Sequence, residues 1–294
     1  MTRRHDTVSF LSDYGLDDEF VGVVHAVIRD LAPQAAVIDL THGIAPCDVR
    51  AGSLALARSI AWVPEGVVLA VVDPGVGSTR RGIAVEVAGG AGVLIGPDNG
   101  LLAPAVAMAG GADRAVELSN TAYHLDAPAV TFDGRDVFAP VAAHLCNGVD
   151  IAEFGPEVDP ALLTPATIPL PRPMDDNDPV AGVVAEVLWV DRFGNCQLNV
   201  GPDDLPPTWD AHLRAMLPDP DQVSATVVRA VTTVDHFAAV GAGVGLVLDA
   251  YGMFALCCDR RSAAVELSIG VGDQVTICPG DAPQPAATPV SFTR

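Results

Sequence analysis

The feature that most constrains the fold is the apolar run Val67–Val72 together with the turn that ends it, Asp73-Pro74-Gly75-Val76-Gly77-Ser78-Thr79-Arg80-Arg81. A short run this rich in β-branched residues predicts a fully buried strand. Pro74 and the two glycines then stop the strand and fold the backbone into a turn that a ligand can approach closely. Asp73 stands at the carboxyl end of that strand, with Arg80 seven residues further on. In open α/β sheets, ligands bind along that edge. A phosphate loop is excluded, because the G-x-x-x-x-G-K-[ST] spacing is absent and the chain contains no lysine.

The flanking sequence supports a sheet of this kind. Val8–Leu11 predicts a first strand that ends in Ser12-Asp13-Tyr14-Gly15. Asp17 or Asp18 then caps a helix whose apolar stripe is Phe20, Val23, Val24, Val27, Ile28 and Leu31, stopped by Pro33. Strand Ala36–Leu40, helix Asp48–Ile60, strands Gly82–Val87 and Val93–Ile95, and helix Asp136–Cys146 follow. This alternation predicts an α/β domain with a mostly parallel sheet over residues 1–168. Prolines bracketing Asp175-Asp176-Asn177-Asp178 mark a linker over residues 169–179. Beyond it, strands at Val183–Val190, Ala225–Val231, Val244–Asp249, Met253–Cys257, Ala264–Leu267 and Val275–Cys278 predict a smaller all-β, barrel-like domain over residues 180–294.

Composition narrows the function. Half the residues are apolar and the formal net charge is −21, with every Lys/Arg position an arginine. No basic stripe offers a nucleic-acid surface against that field. Lysine Schiff-base chemistry is excluded outright. The six cysteines are scattered without a C-x-x-C pair, as befits free thiols in a reducing cytoplasm. His25, His42, His124 and His144 show no metal-ligand spacing in sequence, so no metal or cofactor is expected. The uncharged apolar stretch Phe237–Leu248 is too short and glycine-rich to span a bilayer, which leaves a cytoplasmic protein without a membrane partner as the expectation.

Six segments in order carry a resemblance: Phe10–Gly15, Ile38–His42, Val72–Gly77, Gly96–Leu102, Thr131–Pro140 and Asp191–Asn195. Together they resemble the S-adenosylmethionine hydrolases, or hydroxide adenosyltransferases, which are relatives of the fluorinating and chlorinating enzymes. The resemblance implies hydrolysis of S-adenosylmethionine to adenosine and methionine by in-line attack of water on the 5′ carbon. It also implies a homotrimer, with the substrate between the N-terminal domain of one subunit and the barrel of its neighbour.

By the same resemblance, Asp73, Arg80 and Asp133 occupy the catalytic positions. Asp13 falls where the ribose hydroxyls bind, and Asp18 and Asp191 where the substrate ammonium can be met. Phe132, Phe193, Asn195 and Tyr251 fall at the adenine and substrate contacts. From the residues alone, Asp13, Asp18 and Asp191 read equally as caps or turn formers, Asn195 as a turn residue, and the phenylalanines as core.

Two departures stand out. The third catalytic position is usually histidine in the hydrolases and is Asp133 here. A carboxylate with an ordinary pKa of about 4 is a weaker base than an imidazole at about 6.5. Asp133 then either shares a proton with Asp73 or pairs with Arg80 or Arg135. Ala250, in Asp249-Ala250-Tyr251-Gly252, replaces a serine that holds the amino-acid end of the substrate in the family. Two alternatives to hydrolysis follow: a non-catalytic adenosine- or S-adenosylmethionine-binding protein, and a halide-using adenosyl transferase. The second is opposed by the repulsion that two carboxylates exert on a halide.

Overall fold

The structure, a computed structural model, describes residues 5–219 and 225–280, so residues 281–294 of the expected C-terminal domain lie outside it. Contacts divide the chain into two compact units, one running through Ile168 and the other starting at Pro169.

The first unit runs β1 (Thr7–Ser12), α1 (Phe20–Leu31), β2 (Ala36–Thr41), α2 (Val49–Ile60), β3 (Gly66–Val71), β4 (Gly82–Val87), β5 (Gly92–Pro97), α3 (Ala103–Met108), β6 (Ala112–Glu117) and α4 (Ala139–Cys146). Its sheet has the order β2-β1-β3-β5-β4-β6. The pairs β1/β2, β1/β3 and β3/β5 are parallel, while β4 pairs antiparallel with β5 and β6. β3 is buried at every position, as a strand with neighbours on both edges and helices over the sheet demands. Val24 and Ile28 of α1, Phe10 and Leu69 of the sheet, and Val141 and Leu145 of α4 share one core.

The chain moves from β1 outward to β2, then returns across β1 to β3. Successive connections therefore leave opposite sides of β1, which opens a crevice at the carboxyl ends of β1 and β3. Ser12 lies opposite Val71 in register, so Asp13 and Asp73 emerge side by side at that crevice.

Several local expectations needed correction. No side chain caps α1: Glu19 holds the N-cap position and Asp17 and Asp18 lie in the exposed bend before it. The helix expected from Asp136 opens earlier, as a single π-helical turn at Gly134–Phe138, and becomes α-helical only at Ala139. By contrast, Asp48 caps α2 by accepting from the Ala51 amide at 2.8 Å.

The second unit runs β7 (Arg172–Pro173), β8 (Val183–Val190), β9 (Cys196–Leu198), β10 (His212–Pro218), β11 (Thr226–Val234), β12 (Val244–Leu248), β13 (Phe254–Cys257), α5 (Ala263–Leu267) and β14 (Gln274–Pro279). Neighbouring strands follow the order β14-β10-β11-β12-β13-β9-β8, and β8 pairs back onto β14, closing a seven-stranded barrel. Closure leaves no open edge among those strands, and β7 adds to β8 outside the ring. Val187, Leu198, Leu213, Leu246, Leu256 and Ile277 fill the interior.

Residues 264–267, expected as a strand, form helix α5. Ser262 caps it by accepting from the Val265 amide, and Ala263 and Leu267 point inward, a helical period that the short apolar run disguised. No described helix is long and apolar enough to cross a membrane.

Leu69 is fully buried at the centre of β3. Leu69→Ala is expected to destabilise the protein by about 2–5 kcal/mol, measured by urea unfolding followed by circular dichroism.

Candidate active site

A cavity of about 380 Å³ opens at the carboxyl ends of β1 and β3, lined among others by Asp13, Tyr14, Asp73, Phe132, Asp133 and Arg135. The volume lies within the range of small-molecule sites, about 300–1,000 Å³.

The turn after β3 is built around its own acid. Asp73 Oδ1 accepts from the Gly75 amide at 3.2 Å, and the Val76 amide donates to the Asp73 carbonyl. Ser78 Oγ donates to the Gly75 carbonyl and accepts from the Arg80 amide, which turns Arg80 back toward Asp73. Gly77 adopts φ 77°, and a Cβ there would press on the Val130 carbonyl at 2.9 Å. Only glycine passes this point without strain.

Arg80 grips Asp73 with both arms of its guanidinium, Nε to Oδ1 at 3.1 Å and Nη2 to Oδ2. Nη2 also reaches Asp133 Oδ2 at 2.7 Å. All three side chains are largely withdrawn from solvent, at 7% exposure for Asp73, 10% for Arg80 and 20% for Asp133. Bidentate arginine–carboxylate geometry is the strong form of this pairing. The Arg80 guanidinium also lies 5.5 Å from the centroid of the buried Phe138 ring.

The π-helical turn supplies the other wall. The Arg135 and Asp136 amides both donate to the Phe132 carbonyl, a tight geometry that presents Phe132 and Asp133 to the cavity. Insertions of this type recur at functional sites. A Cβ at Gly134 would collide with the Tyr14 hydroxyl, so the glycine makes room for the phenol. Tyr14 and Phe20 both meet the Phe132 ring edge-on.

Two carboxylates and one guanidinium leave this corner with a formal charge of −1. Burial pushes the Asp73 carboxyl above its ordinary value; the charge and hydrogen bonds of Arg80 pull it back, and the negative charge of Asp133 adds to the rise. Burial likewise raises the Tyr14 phenol, reinforced by Asp13, Asp73 and Asp133 and offset by Arg80, so Tyr14 remains a neutral hydrogen-bonding group.

Of the residues expected from sequence, Asp13, Asp73, Phe132 and Asp133 line the cavity together, and Arg80 ties its two acids. Asp133 pairs with Arg80 and not with Arg135, whose guanidinium is held by Asp136. Asp13 Oδ2 accepts from the Cys47 amide at 2.8 Å. Asp18 is exposed and is not among the lining residues.

In the second unit, Asp191 organises a turn of its own. It accepts from the amides of Phe193 and Asn195 and from the Asn195 side chain, which leaves one Asn195 amide hydrogen committed within the loop. Phe193 and Tyr251 are exposed at 78% and 54%, so neither is a core residue. Asp249 accepts from the amides of Tyr251 and Met253 and so shapes the turn that carries Ala250.

Two residues to which the sequence assigns no role in the site lie close to it. Tyr14 stands in the motif Phe10–Gly15, which by itself gives its phenol no role, and it lines the cavity. His124 has a buried, unpartnered Nε2, and burial holds its pKa below the ordinary value, with the charge of Asp133 offsetting part of that fall. Neither role is signalled locally: Tyr14 meets Gly134 across the fold, and His124 comes near Asp133 only in three dimensions.

The fold and cavity define a class of small-molecule enzymes that bind at the switch point of an α/β sheet and carry an appended β-barrel. Within that class, residues 8–155 match the SAM hydroxide adenosyltransferase N-terminal domain and residues 185–276 the corresponding C-terminal domain, and the chain belongs to this family. It is 42% identical over 273 residues to the (R)-S-adenosyl-L-methionine hydrolase of Salinispora arenicola, covering 93% of this chain and 98% of that protein. The crystal structure of an uncharacterized conserved protein from Thermotoga maritima superposes with a TM-score of 0.81 at 30% identity, covering 92% of this chain and 99% of that one. A fluorinase of an Actinoplanes species is more distant, at 27% identity over 222 residues, covering 67% of this chain and 72% of that protein.

The raised pKa of Asp73 has a stability consequence whose sign is fixed. A carboxyl held above its unfolded value contributes stability that is fully present below that value, near 3.8, and is lost as the pH rises through the folded pKa. The stability of Asp73→Asn relative to the parent protein is therefore expected to increase between about pH 4 and pH 7. Urea midpoints across that range test this, and a flat difference would contradict it.

Proposed function

We propose that this chain hydrolyses S-adenosylmethionine to adenosine and methionine. The observation that carries the reading is the Asp73–Arg80–Asp133 arrangement at the mouth of the β1/β3 crevice. A sulfonium substrate is a cation, and a corner with net charge −1 attracts it. A halide meets the opposite field, which favours water over halide as the nucleophile. The more distant identity to the fluorinase agrees with this choice.

The chemistry balances without an acid to expel the leaving group. The water oxygen bonds to the 5′ carbon while the carbon–sulfur bond breaks, and the bond pair goes to sulfur, giving the neutral thioether of methionine. The remaining proton passes to a carboxylate. Asp73 suits that role because its raised pKa makes it a better proton acceptor than an ordinary aspartate. Arg80 fixes the orientation of Asp73, and Asp133, on the same guanidinium, adds a negative charge that favours the proton's arrival on Asp73. Positioning of water in a partly desolvated pocket supplies the rest. On this reading Asp13 accepts hydrogen bonds from the ribose diol, as a carboxylate facing the cavity can.

The proposal includes a homotrimer, in which the exposed Phe193 and Tyr251 of one subunit's barrel cover the cavity of a neighbour. It also includes a cytoplasmic setting, in keeping with six free thiols. Light scattering of the purified protein tests the assembly.

Incubation with S-adenosylmethionine, followed by chromatography of adenosine, tests the chemistry. Turnover should be independent of chloride and fluoride, and Asp73→Asn should lower kcat on the order of 10²–10⁴-fold. Binding without adenosine release would support the non-catalytic alternative. Ala250→Ser, which restores a hydroxyl found in the family, should lower the KM for S-adenosylmethionine by about fivefold, the equivalent of one ordinary hydrogen bond.

A further inference from the structure

Three residues with no part in the cavity converge behind it: His25 on α1, Asp39 on β2 and His42 just past the end of β2. His25 Nε2 lies 2.8 Å from Asp39 Oδ1, and His42 Nε2 lies 3.1 Å from the same oxygen. All three ligand atoms fall within 4.8 Å of one another. The spacing 25, 39, 42 carries no metal signature in sequence; the parallel packing of β1 and β2 beneath α1 creates the cluster.

The second observation concerns His42 itself. Its side chain is only 3% exposed, and its ring packs edge-on against Phe10 at 4.6 Å between centroids. Nδ1 lies 2.7 Å from Ser12 Oγ. Nε2 is buried, and the group it faces is Asp39 Oδ1 at 3.1 Å, in poor alignment for a hydrogen bond. A buried polar nitrogen left in this way carries a desolvation cost. The two imidazole nitrogens and the carboxylate oxygen lie close enough together to share one cation once Asp39 moves from between the rings.

We propose that His25, Asp39 and His42 bind a divalent transition-metal ion of the zinc type. Two neutral imidazoles and one carboxylate form a three-ligand set that leaves a fourth position for water. Ser12 supplies the outer contact: with Nε2 on the metal, Nδ1–H donates to Ser12 Oγ, fixing tautomer and ring orientation. Asp39, at 45% side-chain exposure on an edge strand, has the freedom to move from between the rings to a ligand position beside them. The protein's net charge of −21 favours uptake of a cation.

The site braces the active-site loop and takes no part in chemistry. Ser12 immediately precedes Asp13, and the Gly15 amide donates to the His42 carbonyl at 2.8 Å, so the loop bearing Asp13 and Tyr14 is tied to the metal-binding residue at both ends. The inference does not depend on the hydrolase reading.

The test uses the full chain without a polyhistidine tag, stripped with chelator and titrated with Zn²⁺ and Co²⁺. About one Zn²⁺ per chain is expected after equilibrium dialysis, with a rise in Tm on binding. The Co²⁺ spectrum should show d–d bands without thiolate charge transfer. Because His42 is buried, the variants are His25→Ala and Asp39→Asn, at accessible positions, with metal-free melting checked to confirm folding. Each should weaken Zn²⁺ binding at least ~100-fold, and Ser12→Ala about 10–100-fold. Absence of stoichiometric binding, unchanged affinity in both ligand variants, or a thiolate-dominated cobalt spectrum would overturn the proposal.

Discussion

The candidate site depends on one guanidinium held between two carboxylates. Without Arg80, Asp73 and Asp133 would face each other as like charges in a partly desolvated corner, a disposition that costs several kcal/mol or drives one acid to its neutral form. With it, both oxygens of Asp73 are fixed in a fork, Asp133 is drawn to the same nitrogen, and one negative charge is left over for a ligand. Phe138 completes the arrangement by closing the apolar side of the guanidinium.

The sheet makes this pairing possible. Asp73 is delivered by the fully buried β3, whose position cannot drift, and Asp13 by the neighbouring β1 in parallel register. The change of direction in strand order around β1 keeps helices and loops from covering the crevice between them. Asp133 arrives from a different part of the chain, on a π-helical turn that widens the helix entrance enough to present Phe132 and Asp133 outward while burying Asp136 and Phe138. A rigid strand thus places one acid, an irregular helix start places the other, and a single arginine sets the distance between them.

The aspartate at position 133, where the resemblance leads one to expect a histidine, has a physical meaning in this setting. An imidazole at that place would be neutral or positive beside Arg80, whereas a carboxylate bonds to Arg80 directly and makes the corner anionic. That charge suits a sulfonium and opposes a halide. It also contributes to the raised pKa of Asp73, so the departure from the family pattern tunes the neighbouring acid.

Much of this was legible in the sequence because it depends on local chemistry. The run Val67–Val72, short and rich in β-branched residues, reads as a buried strand, Pro74 and the glycines after it read as a turn, and an acid at that junction faces the ligand edge of an α/β sheet. The same local reasoning failed where local signals compete. Residues 264–267 are short, apolar and compatible with either period, and only the Ser262 cap makes them helical. Asp17 and Asp18 look like caps, yet the helix begins after Glu19 without using either.

By itself, then, the sequence determined the strand-and-turn framework, the order of the two units and the position of Asp73 and Arg80, since each follows from residues adjacent along the chain. Only the tertiary structure decided that Asp133 joins Arg80, that Gly134 exists to admit Tyr14, and that His25, Asp39 and His42 meet. The physical reason is that parallel strands are paired through distant crossovers, so which side chains face one another is set by sheet register and not by their separation along the chain.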